Sequence, residues 1–123
     1  MIEPSAIVLY VDNLLISSPF YQNLLGIKPA EASPTFHAFK LSNGLSLGLK
    51  VKHTIEPPTS DKNGSGELAF TLDNNKQVDA LFAEWQERKV NIAQPPTVMT
   101  YGYTFLALDP DGNRLRVVSM TQS

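Results

Sequence analysis

"ELAFTLDN", residues 67–74, decides the fold, because "AIVLYVDN" at 6–13 has the same order of parts. Each is a short run with β-branched or aromatic residues that closes on Asp-Asn, which predicts a strand running into an Asn-capped helix. "VDN" at 11–13 thus meets "LDN" at 72–74. The unbroken apolar character of "AIVLYV" further predicts a central strand covered on both faces.

Working outward from the first copy, Phe20, Tyr21, Leu24 and Leu25 recur at helical spacing and Gly26 can stop the helix. "FHAFKL" (36–41) and "LSLGLKV" (45–51) follow as strands joined at Asn43-Gly44, a strong hairpin signal. Residues 53–66, "HTIEPPTSDKNGSG", have the composition of a linker. Beyond it the order returns: a strand at 67–72, a helix from about Asn74 to Lys89, a loop at Pro95-Pro96, and strands "YTFLAL" and "RLRVVSM" around Asp109-Pro110-Asp111-Gly112. Val78, Leu81, Phe82 and Trp85 form one stripe of the second helix, which marks Trp85 as core. Gly44 meets Gly112, as Asn13 meets Asn74. The chain reads as an internal duplication, since a half this small buries too little surface alone and two halves combine.

Composition narrows the function classes. The 123 residues suit one domain, with a first module at about 5–52, the linker at 53–66 and a second module at about 67–121. A formal charge of −2 from interspersed residues, with no Lys/Arg cluster, argues against a nucleic-acid or anionic-membrane partner. No cysteine means no disulfide, thiolate nucleophile or Cys-ligated zinc. "MIEPSAIVLY" has neither the basic start nor the unbroken apolar stretch of a signal peptide, and no run approaches membrane-spanning length. A cytoplasmic protein is expected.

"VDN" followed by "FYQNLLG", then "ELAFTLDN" and "DPDGNRLRVV", in this order and spacing, resembles the glyoxalase, bleomycin-resistance and extradiol dioxygenase superfamily, the vicinal oxygen chelate fold. The resemblance covers nearly the whole chain. It implies an α+β fold of two paired βαβββ modules, forming a curved mixed sheet around a cavity, and a homodimer. "VDALFAEWQERK" and "TFLALDPDGNRLRVV" are most similar to the small drug-binding resistance proteins of that superfamily.

Enzymes of the superfamily carry His, Glu or Gln metal ligands near the start of each module's first strand and in its last strand. Aligned on "VDN" and "LDN", the first positions are Ala6 and Glu67; aligned on the glycine turns, the others are Gly48 and Arg116. Only Glu67 can ligate a divalent ion, whereas such sites normally need about three or four protein ligands and a guanidinium repels the ion. No metal and no cofactor are therefore expected, and no Ser/His/Asp or Cys/His set suggests nucleophilic catalysis. Whether the chain is an enzyme stays open, with the missing ligands weighing against it.

What remains is a cavity. Period two puts Glu67, Ala69 and Thr71 on one face, with Ala6, Val8 and Tyr10, then Ser46, Gly48 and Lys50, then Arg114, Arg116 and Val118. Several are small, which leaves room for a guest. Glu67 and Arg116 are expected to pair or to share one polar ligand, with Tyr10, Gly48 and Lys50 beside them. Phe36, Phe39, Tyr101, Tyr103 and Phe105 offer stacking surfaces, unless they pack under a helix; His37 is a further ligand candidate, and His53 reads as a solvated loop residue. The expected function is non-catalytic binding of a small aromatic or polycyclic compound, an antibiotic-sequestering resistance factor. The rivals are a metal-dependent glyoxalase-type lyase, isomerase or dioxygenase, and a ligand-free association domain.

Overall fold

The structure, a computed structural model, describes residues 3–56 and 67–120, and most of the predicted linker lies outside them. The chain divides into two compact units, Met1–Gly64 and Ser65–Ser123. The first holds strand β1 (Ala6–Val11), helix α1 (Leu14–Leu25), strands β2 (Glu31–Ala32), β3 (Phe36–Lys40) and β4 (Ser46–Val51), and a 3-10 turn at Lys52–Thr54. The second repeats that order with β5 (Glu67–Leu72), α2 (Asn75–Glu87), β6 (Asn91–Met99), β7 (Gly102–Leu108) and β8 (Arg114–Met120). Each unit is a four-stranded mixed sheet with one helix, in the orders β1-β4-β3-β2 and β5-β8-β7-β6. Neither sheet closes. The duplication holds at the level of register: Ala6 opposes Ser46 and Val8 opposes Gly48 across the parallel pair, as Glu67 opposes Arg114 and Ala69 opposes Arg116.

Local chemistry explains the helix boundaries. Asn13 caps α1 by accepting from the Leu15 N–H at 2.9 Å, and Gly26 ends it at φ 72°, where a side chain would be strained. Asn74 does the same for α2 through the Gln77 N–H. The buried stripe of α1 is Leu14, Ser17, Ser18 and Tyr21, while Phe20, Leu24 and Leu25 are only half-buried. Two of the four inward positions are thus serines. Ser18 tolerates burial because its Oγ lies 2.7 Å from His37 Nδ1 and accepts from Gln22 Nε2 at 3.2 Å.

Alternation then sorts each sheet into two faces. In the first unit Leu47, Leu49 and Val51 of β4 and Phe39 of β3 are buried on the side that α1 covers, with Tyr21. In the second, Phe70 and Phe105 meet Trp85 edge-on at 5.8 and 5.5 Å between ring centroids, and Phe82 meets Phe105 at 5.3 Å. Each such buried side chain contributes about 1.5–3 kcal/mol. The stripe expected on α2 is the one that packs.

Two expectations need correction, and one strand left no signal in the sequence period. Among the described residues β1 is the edge of its sheet, bonded only to β4, and Ile7, Val8 and Tyr10 are exposed. An apolar run signals a strand but not which neighbours cover it. Pro95 and Pro96 are no loop; they belong to β6, whose pairing with β7 slips between Ile92 and Gln94 and again between Gln94 and Thr97. Proline lacks an N–H, and an irregular edge strand is where a ladder tolerates that. β2, two residues pairing with Ala38 and His37, is too short to leave a periodic signal.

Candidate functional site

The open face of the second sheet, opposite α2, collects its charge. Glu67 opens β5, directly across from Arg114 and diagonal to Arg116 on β8. Arg116 grips it with two bonds, Nε to Oε2 at 3.1 Å and Nη2 to Oε1 at 3.3 Å, and Arg114 Nε stands 3.5 Å from Oε1. The remaining edge of Arg116 is held from β7: Nη1 donates to Thr104 Oγ1 at 3.3 Å, while that hydroxyl donates to the Val117 carbonyl at 2.7 Å. Thr104 is therefore locked as an acceptor. The pair is bidentate, the geometry in which a planar guanidinium is best ordered.

Electrostatics follow the geometry. The hydrogen bond from Arg116, then its charge and that of Arg114, hold the Glu67 carboxyl below its ordinary range, against a smaller opposing effect of desolvation. Glu67 in turn strengthens the cationic form of Arg116, and Tyr101, in the turn before β7, acts in the same direction. The Arg116 side chain keeps 12% of its surface exposed, Glu67 33% and Arg114 47%. The site can be reached from solvent.

The first sheet carries a different set on its corresponding face. Tyr10, Lys50 and Phe36 lie side by side across β1, β4 and β3, and Val8, Gly48 and Ala38 form the next row. Repeated register makes Gly48 the counterpart of Arg116 and Phe36 that of Thr104. The expected room above Gly48 is occupied by the Phe36 ring, since a Cβ placed on Gly48 would sit 2.7 Å from Cε1. One module fills this position with a ring, the other with a guanidinium.

Four further candidates lie on the helix sides of their sheets. Phe39 and Phe105 have no exposed surface and pack in the cores. Tyr103 donates to Asp79 Oδ1 of α2 at 2.6 Å, which raises the phenol's pKa. His37 turns toward α1 and, with Asp12, Ser33, Thr35 and His53, lines a cleft of about 380 Å³. Thus Glu67, Arg116 and Tyr101 come together in one module, and Tyr10, Phe36, Gly48 and Lys50 in the other. Thr104 is a site residue missing from the sequence-based set, and Arg114 was placed on the cavity face without being named as a ligand contact. Alternation along β8 had marked Arg114; Thr104 was hidden between two aromatic neighbours.

The donor set does not fit a divalent ion. Of Ala6, Gly48, Glu67 and Arg116, one has a ligating side chain, and both its oxygens already face guanidinium nitrogens. Among the described residues no three His, Cys, Asp or Glu form a group suited to a metal. Nor is any helix in them long and apolar enough to cross a membrane.

The pattern of the Glyoxalase/Bleomycin resistance protein/Dioxygenase superfamily matches residues 4–117. The chain belongs to this superfamily. Within the glyoxalase superfamily it is 31% identical to the phenazine antibiotic resistance protein EhpR of Enterobacter agglomerans, over 94% of this chain and 91% of that one. It is 48% identical to an Agrobacterium tumefaciens protein solved by solution NMR, with a TM-score of 0.88 and 99% and 100% of the two chains covered. A glyoxalase/bleomycin resistance protein/dioxygenase from Nocardioides shares the fold at a TM-score of 0.86 and 19% identity, over 100% and 86% of the chains. The fold expected from the sequence, two βαβββ modules of glyoxalase type, is the one observed.

Proposed function

We propose that this chain is a non-catalytic binding protein that sequesters a planar aromatic compound and so serves as an antibiotic-resistance factor, in the cytoplasm and as a homodimer. The observation that carries the proposal is the Arg116–Glu67 clamp. It stands where the family resemblance places metal ligands, and it offers a rigid, flat cation instead of an open coordination site. Guanidinium planes and exposed rings such as Tyr10 and Tyr101 are suited to stacking on flat ligands. The likeness to a phenazine resistance protein supports the same ligand class, and exposed Ile7, Val8 and Tyr10 along β1 support a partner chain. Resistance then arises by mass action: bound drug is removed from its target, one molecule for each site.

A thermal-shift screen with phenazines and other planar compounds tests this, because a ligand specific for the native state raises Tm as occupancy grows. Saturable stabilisation by a planar aromatic compound is expected, with no shift from zinc, nickel, manganese or iron. Stoichiometric metal retained after dialysis, with no response to any planar compound, would favour the enzymatic reading and end this one.

A further inference from the structure

The charges around Glu67 do not balance. Two guanidinia, Arg114 and Arg116, flank one carboxylate, and along β5, β7 and β8 this face carries no other acid: its residues are Glu67, Ala69 and Thr71, then Gly102, Thr104, Leu106 and Leu108, then Arg114, Arg116, Val118 and Met120. Arg116 is engaged on three sides: Nε and Nη2 donate to Glu67, Nη1 donates to Thr104, and the Tyr101 hydroxyl is a further hydrogen-bond partner. Thr104 has no hydrogen to offer in return, because its own goes to Val117. Arg114 meets Glu67 from Nε at 3.5 Å, and its side chain is 47% exposed. The face therefore sets two guanidinium groups against one carboxylate, and the Arg114 side chain is the more exposed of the two. Its preorganised pair keeps Glu67 from turning into a competing anion.

Resting on the binding reading above, we infer that the bound aromatic compound carries a carboxylate, or an equally anionic oxygen pair, which docks on Arg114 and the outer edge of Arg116. A neutral ligand would leave these donors to water. An amine-bearing ligand would meet net repulsion. A carboxylate gains charge-assisted bonds that its amide cannot make.

The test compares two tricyclic probes of nearly equal shape, phenazine-1-carboxylic acid and phenazine-1-carboxamide, by calorimetric titration of the full-length protein near pH 7. The acid is expected to bind at least about tenfold more tightly, the scale of one charge-assisted contact. That preference should collapse in Arg114→Gln and persist in Arg114→Lys, and because it is a ratio within one protein it is insensitive to small changes in folding. Equal affinity of the two probes, or tighter binding of the amide, overturns the inference while the binding proposal stands. If neither probe binds, this inference falls, and the thermal-shift screen with other planar compounds decides the binding proposal.

Discussion

At the scale of single residues, the Glu67–Arg116 pair ties the site to measurable stability. The pair holds the Glu67 carboxyl below its ordinary value of 4.5, so its contribution is present above that pH and is lost as pH falls through the lower native value. Glu67→Gln should therefore destabilise the protein at pH 7 and have little effect near pH 2. Urea denaturation at both values measures this, and a penalty independent of pH would show that the carboxylate's charge is not what matters. Gly48 poses a steric question. Substituting alanine would force a methyl group onto the Phe36 ring, at a cost of about 1–3 kcal/mol. The double variant Gly48→Ala/Phe36→Leu should recover part of it, and strictly additive losses in this cycle would show that the two side chains do not interact. The pairing of Glu67 with Arg116 was legible from their aligned positions, whereas the Phe36 ring over Gly48 was not, because it comes from a neighbouring strand that the alignment does not mark.

Among elements, the helix ends show how far local chemistry carries. Asn13, Gly26 and Asn74 were readable as caps because each acts on backbone a few residues away. The end of α2 was not so plain. Arg88 closes the helix and Lys89 adopts φ 62°, a left-handed conformation normally left to glycine, while the Val90 N–H reaches back to the Trp85 carbonyl at 2.9 Å. Lys89→Gly should stabilise the protein by about 0.5–1 kcal/mol in chemical denaturation. A loss of stability would mean that the lysine side chain contributes more than its backbone strain costs. Elements whose definition depends on partners were the ones misread: β1 at the edge rather than the centre, β6 passing through two prolines, and the inward serines of α1, of which Ser18 is bonded to His37 and accepts from Gln22. Hydrophobic period reports burial, and burial by a neighbour is not written in the strand itself.

For the whole molecule, the duplication was visible in two short Asp-Asn matches and two glycine turns, and the shared register of the sheets extends it to every strand pair of the two parallel ladders. The same register makes the alignment of Ala6, Glu67, Gly48 and Arg116 a structural equivalence. It also exposes what alternation alone left undecided, which aromatic rings face outward: Tyr10 and Phe36 do, whereas Phe39 and Phe105 are core. Gly48 under its phenyl ring and Arg116 on its carboxylate are two answers to one position. Had the modules been separate copies of a single shorter chain, every substitution would have appeared twice, and a cation at this place in one copy would have meant a cation in both. Joining them in one polypeptide lets mutation act on one copy alone, so one module can take on a new polar group while the other keeps its packed ring, without loss of the scaffold that both copies share.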